Sequence, residues 1–269
     1  MAADIVYTHG HHDSVLRSHR TRTVANSAAY LAEQLRPGVR VLDVGCGPGT
    51  ITVDMAARVA PGQVTAIDTA TSVIAEAAAL AEAEGATNVE FAVADVYALP
   101  YPDDSFDVVH AHQVLQHLAD PVAALREMGR VCRPGGVVAV RDADYAAMTW
   151  YPEYPALDDW LSIYRAVARA NGAEPDAGRR LLSWARRAGF ADITPTGSFW
   201  CYATAEQREA WGAMWSERIR NSAIAEQAVS GGHAEREDLE RISRAWLDWA
   251  ADEDGWFGIP HGEIVCRKS

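Results

Sequence analysis

Cysteine is scarce in this 269-residue chain: four residues, at 46, 132, 201 and 266, with no C-x-x-C pair among them. The spacing of a zinc site or a dithiol redox centre is therefore missing, so the four read as free thiols and no metal is expected. Positive charge is also in short supply, 24 Lys and Arg against 37 Asp and Glu, for a formal net charge of −13. Affinity for a phosphate backbone rests on clustered basic side chains, so the composition argues against nucleic acid, DNA and rRNA included, as a partner. No apolar run reaches the roughly 18 residues that cross a bilayer. The N-terminus carries neither an apolar signal region nor an Arg-rich transit helix. No membrane span and a cytoplasmic location are the resulting expectations. Internal repeats and low-complexity tracts are missing too, and the alanine-rich stretch 75–86 needs no cause beyond helix propensity. Composition leaves the oligomeric state open, a homodimer being one option.

What the chain does have is a strand that stops at a glycine turn. Val41-Leu42-Asp43-Val44 runs into Gly45-Cys46-Gly47-Pro48-Gly49-Thr50. Glycines let the backbone take positive φ and let a ligand approach where a Cβ would collide, and the helix that follows offers unpaired N–H groups. A dinucleotide fingerprint, G-x-G-x-x-G, seats a pyrophosphate on such a helix start. Here the third glycine comes one residue early, and Asp43 precedes the first by two, where a carboxylate would repel a diphosphate but suit a cationic ligand. Strand and helix signals then alternate from Val39 to Val140, which specifies a parallel sheet with right-handed crossovers and ligands beyond the carboxyl ends of the strands. Within it, Gln63–Asp68 ends in an acid nineteen residues past Gly49, Val89–Val96 contains Asp95, Ser105–His112 is a fourth strand, and Arg133-Pro134-Gly135-Gly136 turns into Val137–Val140.

This ordered set, over roughly residues 39–142, resembles the class I S-adenosylmethionine-dependent methyltransferases. Leu99–Asp107 and Val114–Leu118 look like the ubiquinone/menaquinone-biosynthesis type that acts on small molecules. The resemblance implies a Rossmann-like α/β fold with a seven-stranded sheet, order 3-2-1-4-5-7-6, whose last strand is antiparallel. It implies S-adenosylmethionine as cofactor and S-adenosylhomocysteine as product. It places Asp43, Gly45, Cys46, Gly47 and Gly49 at the amino-acid end of the cofactor and Asp68, with Thr69 beside it, on the ribose. Asp95, between Ala94 and Val96, falls on the adenine amino group, and His112 and Gln113 at the end of strand four complete the contacts. Cys46, at a helix start, reads as a small side chain in a tight turn rather than as a thiol activated by that position.

One domain is expected over 1–269: N-terminal lid helices in 1–38, a cofactor core in 39–142, helical substrate-lid insertions at 150–175 and 205–252, and a terminal strand at 256–267. Ser14–Leu35 has helical spacing until Pro37-Gly38 stops it and reads as one or two helices, Arg179–Ala188 reads as the last crossover helix with Gly189 as its cap, and Ile193–Tyr202 as a strand.

Transfer of a sulfonium methyl is an in-line displacement in which positioning does most of the work, and a base near neutrality helps an acceptor that must lose a proton. Histidine is the first candidate. His9, His11, His12 and His19 crowd the N-terminus, and His110, His112 and His117 follow strand four. His112 is expected to touch cofactor or substrate, and His117 to begin a helix through Leu118, Val122, Leu125 and Met128. Asp142, with Asp144, falls at the mouth of the sheet, where it orients a histidine, binds a cationic substrate or is solvated at the surface. His112, His117 and Asp142 are thus the catalytic candidates. Six of nine tryptophans lie in the last seventy residues, with Trp211 and Trp215, like Trp246 and Trp249, spaced to share a helical face. They read as packing of lid helices, and any that reach the pocket suit a flat aromatic substrate. The expected function is methyl transfer to a small-molecule acceptor in quinone-like or secondary metabolism. The rivals are a non-catalytic S-adenosylmethionine-binding regulatory protein and, less well matched to the glycine spacing, a nicotinamide oxidoreductase.

Overall fold

The computed structural model describes residues 21–269. The expectations for His9, His11, His12 and His19, and for the first part of the Ser14–Leu35 helix, lie outside the described residues. What is described of that stretch is not one helix. Thr23 opens a single turn, α1 (Val24–Ser27), through a capping box with Asn26, and Ala28, at φ −139°, ends it before a 3-10 helix over Ala29–Gln34. A side chain that caps a new helix start cannot lie inside a continuous one.

The β-branched runs form the centre of the sheet, β1 (Val41–Val44), β2 (Val64–Asp68), β3 (Val89–Val93), β4 (Phe106–His112) and β5 (Cys132–Ala143). Between them lie α2 (Thr50–Val59), α3 (Thr71–Ala83) and α4 (Pro121–Val131). Every residue of β1 is buried, as a strand covered by helices on both faces requires. Asp120 caps α4 by accepting the N–H of Ala123, with Pro121 at the first helical position. His117 therefore does not begin this helix but closes a 3-10 turn over Leu115–His117. β5 also starts earlier than its valine run, because Cys132 pairs with Phe106 before residues 133–136 loop out and the ladder resumes at Val137 and Val108.

After β5 come β6 (Thr149–Tyr151), α5 (Pro155–Ala170), a 3-10 turn at Gly178–Arg180, α6 (Leu181–Ala188) and β7 (Asp192–Tyr202). Gly189 ends α6 at φ +107°, a conformation that costs a glycine least. Then α7 (Ala205–Asn221), α8 (Ala223–Ser230) and α9 (Arg236–Ala251) precede β8 (Trp256–Arg267). Strands β1 to β5 are parallel, and β8 enters antiparallel between β5 and β7, for an order of β3-β2-β1-β4-β5-β8-β7. That is the expected topology with one addition, since β6 pairs with the start of β8 beyond the end of β5 and makes the sheet eight-stranded.

Apolar side chains gather on both faces of the sheet and in a third cluster over its far end. In that third cluster the helices of the two insertions meet through tryptophans: Trp160 of α5 sits 4.6 Å from Trp215 of α7 and 4.9 Å from Trp246 of α9, edge to face in both cases. The insertions thus build one aromatic cover above the carboxyl ends of β4 and β5.

Candidate active site

The turn after β1 is held from within. Gly45, Gly47 and Gly49 have φ of +67°, +56° and +85°. A Cβ on Gly45 would stand 2.5 Å from Val114 Cγ2, so both backbone and space require glycine there. Asp43, buried beneath the turn, accepts the Thr52 hydroxyl at 2.6 Å on one oxygen and faces His110 Nδ1 at 2.8 Å with the other. Its carboxylate braces the turn. At the end of β2, Asp68 accepts the Gly47 N–H on one oxygen and the Ala70 N–H on the other, both at 3.2 Å, which fixes the orientation of a half-buried carboxylate. Asp95 is oriented in the same way by the Tyr97 N–H at 2.9 Å.

One cavity runs from this turn to the aromatic cover. Its first half is lined by Asp43, Gly45, Cys46 and Gly47, by Asp68 and Thr69, and by Ala94, Asp95 and Val96. Its second half is lined by His112, Gln113 and His117 together with Tyr145, Met148, Trp200, Tyr202, Trp211 and Trp215. Gly49 and Asp142 are not brought to the cavity. Gly49 caps α2 and would meet Ala77 at 3.0 Å if it carried a Cβ, so its place is a helix contact. Asp142 is neither solvated nor at the mouth of the site: fully buried, it accepts the Gln116 N–H at 3.2 Å behind the 3-10 turn, and burial pushes its carboxyl up to about 8. Asp144 is spent on Arg179, whose Nε and Nη2 donate to it at 2.5 and 2.7 Å.

His112, at 6% exposure, lines the cavity, and among the described residues neither ring nitrogen has a hydrogen-bond partner. Burial, and then the charges of Arg22 and Arg141, hold its pKa well below the usual value, so the ring is neutral at pH 7. His117 is pushed down to about 4 by burial, with its Nε2 3.1 Å from the Gln116 amide nitrogen. Gln113 takes φ +54°, a conformation that a non-glycine residue adopts at a cost of order 1 kcal/mol and that marks functional sites. Its side chain accepts from Arg22 Nη2 at 2.8 Å and meets His261 Nε2 at 3.0 Å, while His261 Nδ1 lies 3.0 Å from the Ile259 carbonyl. These contacts assign the His261 proton to Nδ1, with Nε2 accepting from the Gln113 amide. The N-terminal segment is thereby tied to β4 and β8 over the cavity, and the Trp200 indole, donating to the Asn26 carbonyl at 2.7 Å, adds a second tie.

The tryptophans divide between the two roles open to them. Trp246 and Trp249 pack the cover and do not line the cavity, whereas Trp211 and Trp215 line it, Trp215 also being buried in the cluster. Sequence reasoning missed Arg218, which lines the cavity from α7. Its signal was present, because positions 211, 215 and 218 follow helical spacing along one face. Arg22 also lines the cavity, and no periodicity marks it. The Cys46 thiol is pushed up, by burial and then by Asp43 and Asp68, so the helix start does not activate it. Among the described residues no cluster of His, Cys, Asp and Glu has the makings of a metal site.

A family model described as a methyltransferase domain matches residues 35–208. An uncharacterized methyltransferase of Schizosaccharomyces pombe is 35% identical across 98% of this chain and 97% of its own length. The 27-O-demethylrifamycin SV methyltransferase of Amycolatopsis mediterranei is 38% identical over 66% of this chain and 70% of its own. Among solved structures, the [4+2]-cyclase SpnF aligns with a TM-score of 0.55 at 27% identity, covering 89% of this chain and 79% of that one. Chains of the same fold have been solved with S-adenosylmethionine and with S-adenosylhomocysteine bound.

Proposed function

This chain belongs to the S-adenosylmethionine-dependent methyltransferases, and from that premise we propose that its acceptor is a small molecule held in the second half of the cavity, with His112 taking the acceptor's proton. The observation that carries the proposal is the His112 ring: buried, neutral and, among the described residues, without a hydrogen-bond partner, it faces a space walled by aromatic side chains. A buried imidazole left unpaired costs free energy in the resting protein, and a ligand proton would satisfy it.

Bound S-adenosylmethionine supplies an activated methyl group on a sulfonium. In this reading the Asp68 carboxylate, oriented by two amides, takes the ribose hydroxyls, and Asp95 takes the adenine amino group. Cys46, Thr69, Ala94 and Val96 form the walls, and Asp43 acts through the turn it braces. Gln113, with Arg22 and His261, keeps the end of β4 in place. An acceptor hydroxyl that takes this methyl group must lose its proton, and an unprotonated nitrogen of His112 would receive it. His117, neutral and bonded to Gln116, supports the ring wall beside it. The relative named for a rifamycin methylation supports secondary metabolism as the setting, with quinone-like metabolism as the neighbouring case, and the reading assumes a cytoplasmic enzyme. A concave cavity roofed on one side by the cover favours an enzyme over a cofactor-binding interaction module, which would present an open apolar patch.

The test follows a labelled methyl group. Protein incubated with methyl-tritiated S-adenosylmethionine and a panel of hydroxylated aromatic compounds is expected to place label in the small-molecule fraction. His112→Gln is expected to lower the turnover on the order of a hundredfold while keeping affinity for S-adenosylhomocysteine. Label found only in protein or nucleic acid, or equal turnover by the variant, would overturn the proposal.

A further inference from the structure

One wall of the acceptor half is built by β7, where Phe199 and Cys201 face out while Trp200 and Tyr202, on the opposite side of the strand, line the cavity. Trp200 and Tyr202 are two positions apart, so their backbones are about 7 Å apart along the wall. The register of the sheet orders this wall against His112. His112 is level with Arg141 and Glu263, whereas Trp200 and Tyr202 pair with Ile259 and then Phe257, successively farther along β8 toward the cover. His112 thus stands at the near end, its ring 5.7 Å from that of Trp200, and Tyr202 at the far end, stacked on Trp211 at 4.2 Å with 17° between the planes. Two hydrogen-bond donors meet there. The Trp211 Nε1–H is buried without a partner, and the Tyr202 O–H, kept protonated because burial pushes it up to about 12, makes no hydrogen bond to any described residue. The indole nitrogens of Trp160 and Trp246 are also unpaired, but they lie in the packed cover, off the cavity, where aromatic rings meet them edge to face.

We propose that Tyr202 and Trp211 determine specificity by donating to a carbonyl oxygen of a planar acceptor of two fused rings, at the end remote from the hydroxyl that faces His112. The inference rests on the methyl-transfer reading above and names its substrate class. A carbonyl oxygen has two lone pairs and no proton, so it can accept from both donors at once. Left without it, the buried indole N–H carries the cost of an unmade hydrogen bond. A site built in this way rejects an analogue of the same shape that lacks the oxygen, because binding that analogue strands both donors away from water. The length follows from the wall, since an acceptor that presents its hydroxyl to His112 must pass Trp200 before it reaches Tyr202. The indole faces on the way suit fused aromatic rings.

The probes are 6-acetyl-2-naphthol and 6-isopropenyl-2-naphthol, both neutral, which share rings, hydroxyl and shape and differ in a carbonyl oxygen against a methylene carbon. Each is titrated calorimetrically into the full chain saturated with S-adenosylhomocysteine. The ketone is expected to bind at least about tenfold more tightly than the alkene. Tyr202→Phe, which keeps the ring stacked on Trp211, is expected to remove most of that preference, and Trp211→Phe to reduce it. Binding of S-adenosylhomocysteine in the same cell shows that each variant is folded. Equal affinity for ketone and alkene, or a preference unchanged in both phenylalanine variants, overturns the donor assignment and leaves methyl transfer standing. Failure of both probes to bind the loaded protein overturns the two-ring class. Failure of S-adenosylhomocysteine to bind overturns the reading beneath, and this inference with it.

Discussion

His112 at the end of β4 pairs with Arg141 of β5, the residue before Asp142, and burial drives the two titratable groups to opposite protonation: the carboxylic acid keeps its proton and the imidazolium sheds its own. For Asp142 this has a consequence in stability. Folded, it holds its proton up to about 8, whereas its ordinary value is 3.8. The stabilisation tied to this group is therefore complete below its ordinary value and is lost as pH rises toward 8, because the unfolded chain releases a proton that the fold retains. Asp142→Asn, which keeps the oxygen that accepts the Gln116 N–H, is expected to flatten that decline by about 1.4 kcal/mol per pH unit over the window, a few kcal/mol at most. Urea unfolding of the variant and the parent at about pH 5 and about pH 8 checks it, and a decline of equal size in both proteins would show that Asp142 is not its source. The buried histidines, whose lowered pKa values act in the opposite sense, are common to both proteins and cancel. Sequence placed Asp142 at the carboxyl end of its strand correctly but could not tell which way the side chain points, since that depends on the Gln116 amide above it.

Among the elements, the cover depends on how closely α7 approaches α9. Gly212 lies at their crossing, where a Cβ would stand 2.6 Å from both the Ala250 Cβ and the Trp246 carbonyl oxygen. Alanine is better than glycine in a helix by about 1 kcal/mol, but overpacking against backbone costs about 1–3 kcal/mol. Gly212→Ala is therefore expected to destabilise the chain by up to about 2 kcal/mol and to weaken acceptor binding more than cofactor binding, because α7 carries Trp211, Trp215 and Arg218. Denaturant midpoints and paired titrations check this; a stabilised variant would mean that the helices have room to part. The parallel strands were legible because β-branched runs ending at glycine or an acid have few other structures open to them. The helical spacing of Ser14–Leu35 left one helix or two open, and the Thr23 cap is what divides the part described. The short β6 was hidden because its three residues form a strand only by pairing with the start of β8.

At the scale of the whole molecule, the cofactor half of the site and the cover come from different kinds of sequence. The glycine turn and the strand-end acids follow from local rules of backbone and charge, and were readable in order. The acceptor half is assembled from α7, β7, the end of β4 and the segment around Arg22, parts that no spacing connects, and it became visible only once the sheet had brought them together. The account as a whole stands on the cofactor half. Calorimetric titration of the full chain with S-adenosylhomocysteine, repeated on Asp68→Ala, tests it most directly. It predicts one site per chain and a loss of at least about tenfold in affinity for the variant, the worth of a charge-assisted pair of hydrogen bonds. No binding by the folded protein, or the same affinity in Asp68→Ala, would contradict it.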